Sequence, residues 1–136
     1  MADRTLGSAA GGAAGERAAR LLLIDREVLA NEVTAALYAE SPELLARHGE
    51  RGREKCLQDM RYNVEHLTPA VELTDPSMFA RYVEWVEALL RSRGVASRDV
   101  VRSLQLLRER CALRYPAGDA ETIAAIIDAG LAAIAS

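Results

Sequence analysis

Thr74-Asp75-Pro76-Ser77-Met78-Phe79-Ala80-Arg81-Tyr82-Val83-Glu84-Trp85-Val86-Glu87-Ala88-Leu89-Leu90-Arg91-Ser92-Arg93-Gly94 carries start, body and stop signals for one helix. Asp75 is placed to cap and Pro76 to take the first helical position, where its missing N–H costs nothing. Phe79, Tyr82, Val83, Val86, Leu89 and Leu90 recur at helical spacing as a wide apolar stripe. Gly94 follows as a C-terminal cap.

The same reading extends in both directions. Residues 1–19, with Gly-Ser-Ala-Ala-Gly-Gly-Ala-Ala-Gly, hold too few large apolar groups to offset the entropy of ordering, so a flexible N-terminal tail is expected there. Residues 20–136 are expected to form one domain. A first helix runs from Arg20 or Asp25 to Glu40, rich in helix formers and free of Gly and Pro. Ser41-Pro42 reads as a cap and first position for a short second helix, interrupted at Gly49 and Gly52. Arg53 to Leu67 follows, with Cys56, Leu57, Met60, Val64 and Leu67 on its core face, and Thr68-Pro69 is expected to end or bend it. Beyond Gly94, Ser97 is a cap for a helix that stops near Tyr115-Pro116, and Gly118-Asp119 opens the last. On that last helix Gly130 allows close approach of a neighbour. No segment alternates as a strand does. The fold class is therefore all-α: a single-domain bundle of five to six helices, with a globin-like arrangement among its forms.

Composition narrows the function classes. Half of the 136 residues are apolar and 27% are charged, as in an ordinary globular chain. Mean hydropathy of -0.03 argues against a membrane protein. All basic residues but Lys55 are arginine, yet the net charge is -3 and acids alternate with bases, so no basic surface for nucleic acid is expected. The absence of an export-like segment points to the cytoplasm. Cys56 and Cys111 sit among apolar residues and read as packed, reduced thiols rather than a disulfide, and no zinc-ligand spacing surrounds them. The cofactor is left unknown.

One Trp, one Phe and four Tyr make up the aromatic set, and four of the six fall between positions 62 and 85. Asp59, Tyr62, Asn63 and His66, at i, i+3, i+4 and i+7, form a polar stripe beside the core face. It is either a ligand pocket with His66 as ligand or donor, or a set of structural hydrogen bonds to the next helix. Tyr82 and Trp85 could line the same pocket, stack on a planar ligand, anchor a partner, or simply pack. Enzyme signatures are lacking. The Glu-x-x-His pairs of di-iron bundles are absent, since Asn63 and Leu45 occupy the Glu positions before His66 and His48. Cys56 and His66 lie about 15 Å apart along one helix, too far for proton transfer. His48 reads as a solvated surface residue.

The run Asp59-x-x-Tyr62-Asn63-x-x-His66-Leu67, followed by Asp75-Pro76-x-x-Phe79-x-x-Tyr82-x-x-Trp85, resembles a helical domain of bacterial signalling proteins found beside cobalamin-binding or sulfate-transporter-and-anti-sigma modules. That resemblance implies a non-enzymatic regulatory module. The expectation is thus a protein-interaction module in signal transduction, binding a partner or itself through the surface around Tyr82 and Trp85. The alternative is a small-molecule or tetrapyrrole sensor with its pocket around His66, built from Asp59, Tyr62, Asn63, Tyr82 and Trp85.

Overall fold

A computed structural model describes the backbone of residues 2–135 and the side chains of residues 12–135. Six helices follow one another: α1 (Ala2–Ile24), α2 (Arg26–Glu40), α3 (Glu43–Glu72), α4 (Pro76–Ser92), α5 (Ser97–Arg114) and α6 (Ala117–Ala133). The described residues contain no strand. The all-α bundle is the architecture that the apolar periodicity specifies.

Its core gathers Leu22 of α1, Leu29 and Val33 of α2, Leu67 and Val71 of α3, Phe79 and Val83 of α4, Leu104 of α5, and Ile123, Ile126 and Ile127 of α6. α4 lies closely along α6 because Gly130 has no side chain. A β-carbon there would sit 2.8 Å from both Phe79 Cδ2 and Val83 Cγ2, inside contact distance. Ion pairs tie the helices outside the core: Arg61 to Glu27, Arg26 to Glu65, Arg102 to Glu40, Arg108 to Asp128 and Arg114 to Glu32. The arginine fork suits such cross-helix pairing, although exposed pairs each contribute little.

Several local expectations are corrected. Residues 12–19, placed by composition in the N-terminal tail, continue α1 and are packed. Ala18 and Ala19 are buried, and at Gly15 a β-carbon would fall 2.6 Å from the Val71 carbonyl oxygen. Small residues here serve close helix packing, an outcome that composition alone does not separate from disorder. The side chains of residues 1–11 lie outside the described residues. Asp25 divides the expected first helix. Its carboxylate accepts from the Tyr115 hydroxyl at 2.9 Å, so the bend is fixed from the residue that follows α5.

α3 does not stop at Thr68-Pro69 but runs to Glu72. Burial of Ala70 and Val71 compensates the hydrogen bond that Pro69 cannot donate. Ser41 makes no side-chain cap to α3. Ser97 does not cap α5 either; its hydroxyl donates to Glu87 of α4 at 2.6 Å. By contrast, the Asp75 carboxylate accepts from the Met78 backbone N–H, as its position predicts.

Candidate functional site

A cleft of about 410 Å³ opens between the C-terminal half of α2, the first two-thirds of α3, the end of α4 and the start of α5. That size falls within the range of small-molecule sites. Its apolar floor is a satellite cluster of Val86 and Leu90 from α4 and Val100 from α5, with Val95 packed against it. α3 forms the polar wall. Gly52, Lys55, Cys56, Asp59 and Asn63 recur at helical spacing along it, and roughly 16 Å separates Gly52 from Asn63 at 1.5 Å per residue. The wall is a helix face rather than a loop because Arg53 to Leu67 has no breaker.

Cys56 and Asp59 stand one turn apart on this wall. Burial, together with the nearby Asp59 charge, pushes the Cys56 thiol up to about 11, while the neighbouring Thr34 hydroxyl pulls the other way. The thiol is protonated at neutral pH. Burial also raises Asp59, opposed by the cations Arg93 and Lys55, which both line the cleft. A carboxylate acceptor, a neutral thiol and two cations therefore face one partly apolar volume. Cys111 differs: it is buried in the main core, away from the cleft.

Of the six residues singled out from sequence, the cleft gathers Asp59, Tyr62 and Asn63. His66, Tyr82 and Trp85 are not on its wall. The His66 ring stacks on Tyr82 with centroids 4.1 Å apart and 10° between planes, and its Nδ1 bonds the Tyr62 carbonyl at 2.9 Å. The Tyr82 hydroxyl donates to Asn63 Oδ1 at 2.6 Å, so Tyr82 acts on the cleft only through Asn63. Trp85 is 60% exposed on the outer side of α4. Three of the four stripe residues, Asp59, Tyr62 and Asn63, thus face the cleft, while His66 and Asn63 also engage Tyr82 and hold α3 to α4.

Sequence reading missed Cys56, Lys55, Arg93, His48 and Tyr38. The signal for Cys56 was its position three residues before Asp59, on the line of the polar stripe; the apolar neighbours Leu57 and Met60 drew it to the core instead. Tyr38 comes from α2 and Arg93 from the turn after α4, and nothing local marks them. His48, expected in solvent, is half-buried against the cleft. Among the described residues no three His, Cys, Asp or Glu side chains converge as a metal site. No helix there is long and apolar enough to cross a membrane.

No curated relative matches the chain. A family model described as phycobilisome protein matches residues 5–134, almost the whole of the 136 residues. This match overturns the resemblance to a helical domain of bacterial signalling proteins, and with it the reading as a regulatory module in signal transduction. The residues that carried that resemblance are helix-packing positions: Phe79 fills the core, and His66 stacks on Tyr82, whose hydroxyl donates to Asn63. With an all-helical fold among the described residues and a family match over nearly its full length, this chain belongs to the phycobilisome protein family.

Proposed function

We propose that the cleft holds a linear tetrapyrrole and that the chain is a pigment-binding subunit. The observation that carries this reading is the donor set on the cleft wall, set in a member of the phycobilisome family. A linear tetrapyrrole is planar, largely apolar, bears pyrrole N–H donors and ends in carboxylate side chains. Each feature has a counterpart in the cleft. Val86, Leu90 and Val100 offer apolar surface, the Asp59 carboxylate accepts N–H donors, and Lys55 and Arg93 offer positive charge to carboxylates. Cys56 adds a nucleophile able to hold the pigment through a thioether. In that attachment the sulfur bonds one carbon of an exocyclic carbon–carbon double bond and the thiol hydrogen ends on the other, so no oxidant or reductant is required. The bound pigment supplies an extended conjugated system that absorbs visible light.

Asp59 and Asn63 have further tasks that this chain performs by itself. Asn63 Oδ1 is occupied by Tyr82, which fixes the amide and leaves Nδ2 against Met60 Sδ, a weak acceptor at 3.7 Å. The raised Asp59 carboxyl gains from any donor brought into the cleft, because its desolvation is only partly offset by Arg93 and Lys55.

The tetrapyrrole alternative drawn from the sequence keeps its ligand class and Asp59, but exchanges His66 for Cys56 as the residue that holds it. Incubation with phycocyanobilin, a linear tetrapyrrole with an ethylidene group, tests the reading. A visible band that survives denaturing electrophoresis in wild type and Cys111→Ser, but not in Cys56→Ser, is expected. A band lost on denaturation from every variant would remove Cys56 from the assignment, and no band at all would sink the pigment reading.

Assembly with a second helical chain fits the same setting. Leu23, Ile24 and Val28 stand 66%, 72% and 44% exposed around the α1–α2 bend, an apolar grouping left uncovered by the described residues. Sedimentation should show a species larger than the monomer that Ile24→Glu disperses; an unchanged sedimentation coefficient would exclude this bend as the interface.

A further inference from the structure

His48 lies at the end of the cleft nearest the start of α3, where two glycines determine its position. Gly49 takes φ 70 and ψ -176, which breaks the helix after His48, and Leu44 and His48 on the preceding turn both line the cleft. A side chain at position 49 would be strained in that conformation. At Gly52 a β-carbon would fall 2.3 Å from His48 Cβ, so the ring keeps its place only because residue 52 has none. Two separate backbone features thus seat one half-buried imidazole on the cleft wall.

The surroundings of this end are donor-rich. The Tyr38 hydroxyl is 4.0 Å from the same point above Gly52, and Lys55 lines the wall three residues further on. Asp99 of α5 also lines the cleft and, with Glu50, acts on Tyr38. The acceptor Asp59 lies two turns beyond Gly52 along α3. A ligand lying along α3 would then place hydrogen-bond donors near Asp59 and an oxygen acceptor near His48.

We propose that His48 is a ligand-contacting residue that donates to an oxygen of the tetrapyrrole and sets its direction in the cleft. This inference rests on the pigment reading above. The oxygen belongs either to a propionate carboxylate or to a terminal lactam carbonyl, two sources with the same acceptor chemistry.

The experiment titrates wild type, His48→Ala, His48→Gln and Gly52→Ala with biliverdin and with its dimethyl ester, following visible absorption and quenching of Trp85, the single tryptophan. Circular dichroism melts confirm that each variant is folded; Gly52→Ala adds a residue of higher helix propensity. His48→Ala should bind biliverdin about tenfold more weakly, the size of a hydrogen bond to a charged group. Gly52→Ala should do the same by displacing the ring, and the amide of His48→Gln should restore part of the loss. A defect seen with biliverdin but not with the ester assigns the carboxylate; an equal defect with both assigns the lactam. If wild type binds and the folded His48→Ala and Gly52→Ala variants bind both compounds equally well, the role of His48 is overturned while the pigment reading stands. If wild type binds neither compound, both fall.

Discussion

Cys56 and Asn63 show how one helix face performs two tasks at the scale of single residues. The Cys56 thiol is held neutral by burial, with its pKa raised from 9.0 to about 11. Because the folded state favours the protonated thiol, its contribution to stability is complete below pH 9 and is lost as pH rises towards 11. Urea denaturation between pH 8 and 11 should therefore show a steeper loss of stability in wild type than in Cys56→Ser, where the hydroxyl does not ionise; parallel curves would contradict the burial argument. Alkylation of Cys56 should accelerate across the same range, whereas Cys111, 1% exposed and raised to about 12, should react only as the protein unfolds. At Asn63, which is 4% exposed, removal of the Tyr82 hydroxyl leaves a buried carbonyl oxygen without its donor. Tyr82→Phe should cost about 1–3 kcal/mol in chemical denaturation while the cleft still binds biliverdin. A cost near zero would mean that water replaces the hydroxyl freely.

The pairing of α4 with α6 is an element-scale property that rests on Gly130. Alanine there has the better helix propensity by about 1 kcal/mol, yet its β-carbon would press on Phe79 and Val83 at 2.8 Å. The clash should win, because Phe79 and Val83 are fully buried and have nowhere to move. Gly130→Ala is expected to destabilise by about 1–3 kcal/mol, read from the midpoint of thermal unfolding. Stabilisation would show that α6 can shift. Pro69 tests the opposite case. It sits inside α3 at an exposed position and deprives the helix of one backbone bond, so Pro69→Ala should raise stability by about 1–3 kcal/mol.

For the whole molecule the decisive segment is the part of α1 from residue 12 to Ile24. Ala18 and Leu22 are fully buried, and α1 lies against both α3 and α6. A chain that starts at Arg20 should lose its cooperative thermal transition, since it exposes the buried surface of α3 and α6 that Ala18 and Ala19 cover. Retention of the full-length melting temperature would instead restore the flexible tail expected from composition. Arg17 pairs with Asp119 across the same junction, though its own exposure makes this a minor contribution.

What the amino-acid sequence determined by itself is local: six helices or nearly so, the Asp75 cap, the stop at Tyr115-Pro116, and the small residue that α4 needs from α6 at position 130. Those features are legible because capping and apolar periodicity act over a few residues along the chain. The same local signals misled where burial outweighed them, as at Pro69 and in the alanine-rich stretch before Leu22. Only the tertiary structure decided the site. Asp59 and Asn63 could be picked out as an unusual stripe, but whether they face a cleft depends on where α2 and α5 lie, and no residue spacing within α3 carries that distance. Cys56 and Cys111 both follow helical spacing among apolar neighbours, and in sequence only Asp59, three residues on, sets Cys56 apart. The packing of α2, α4 and α5 separates them, leaving Cys111 enclosed in the core and Cys56 beside Asp59 on an open wall.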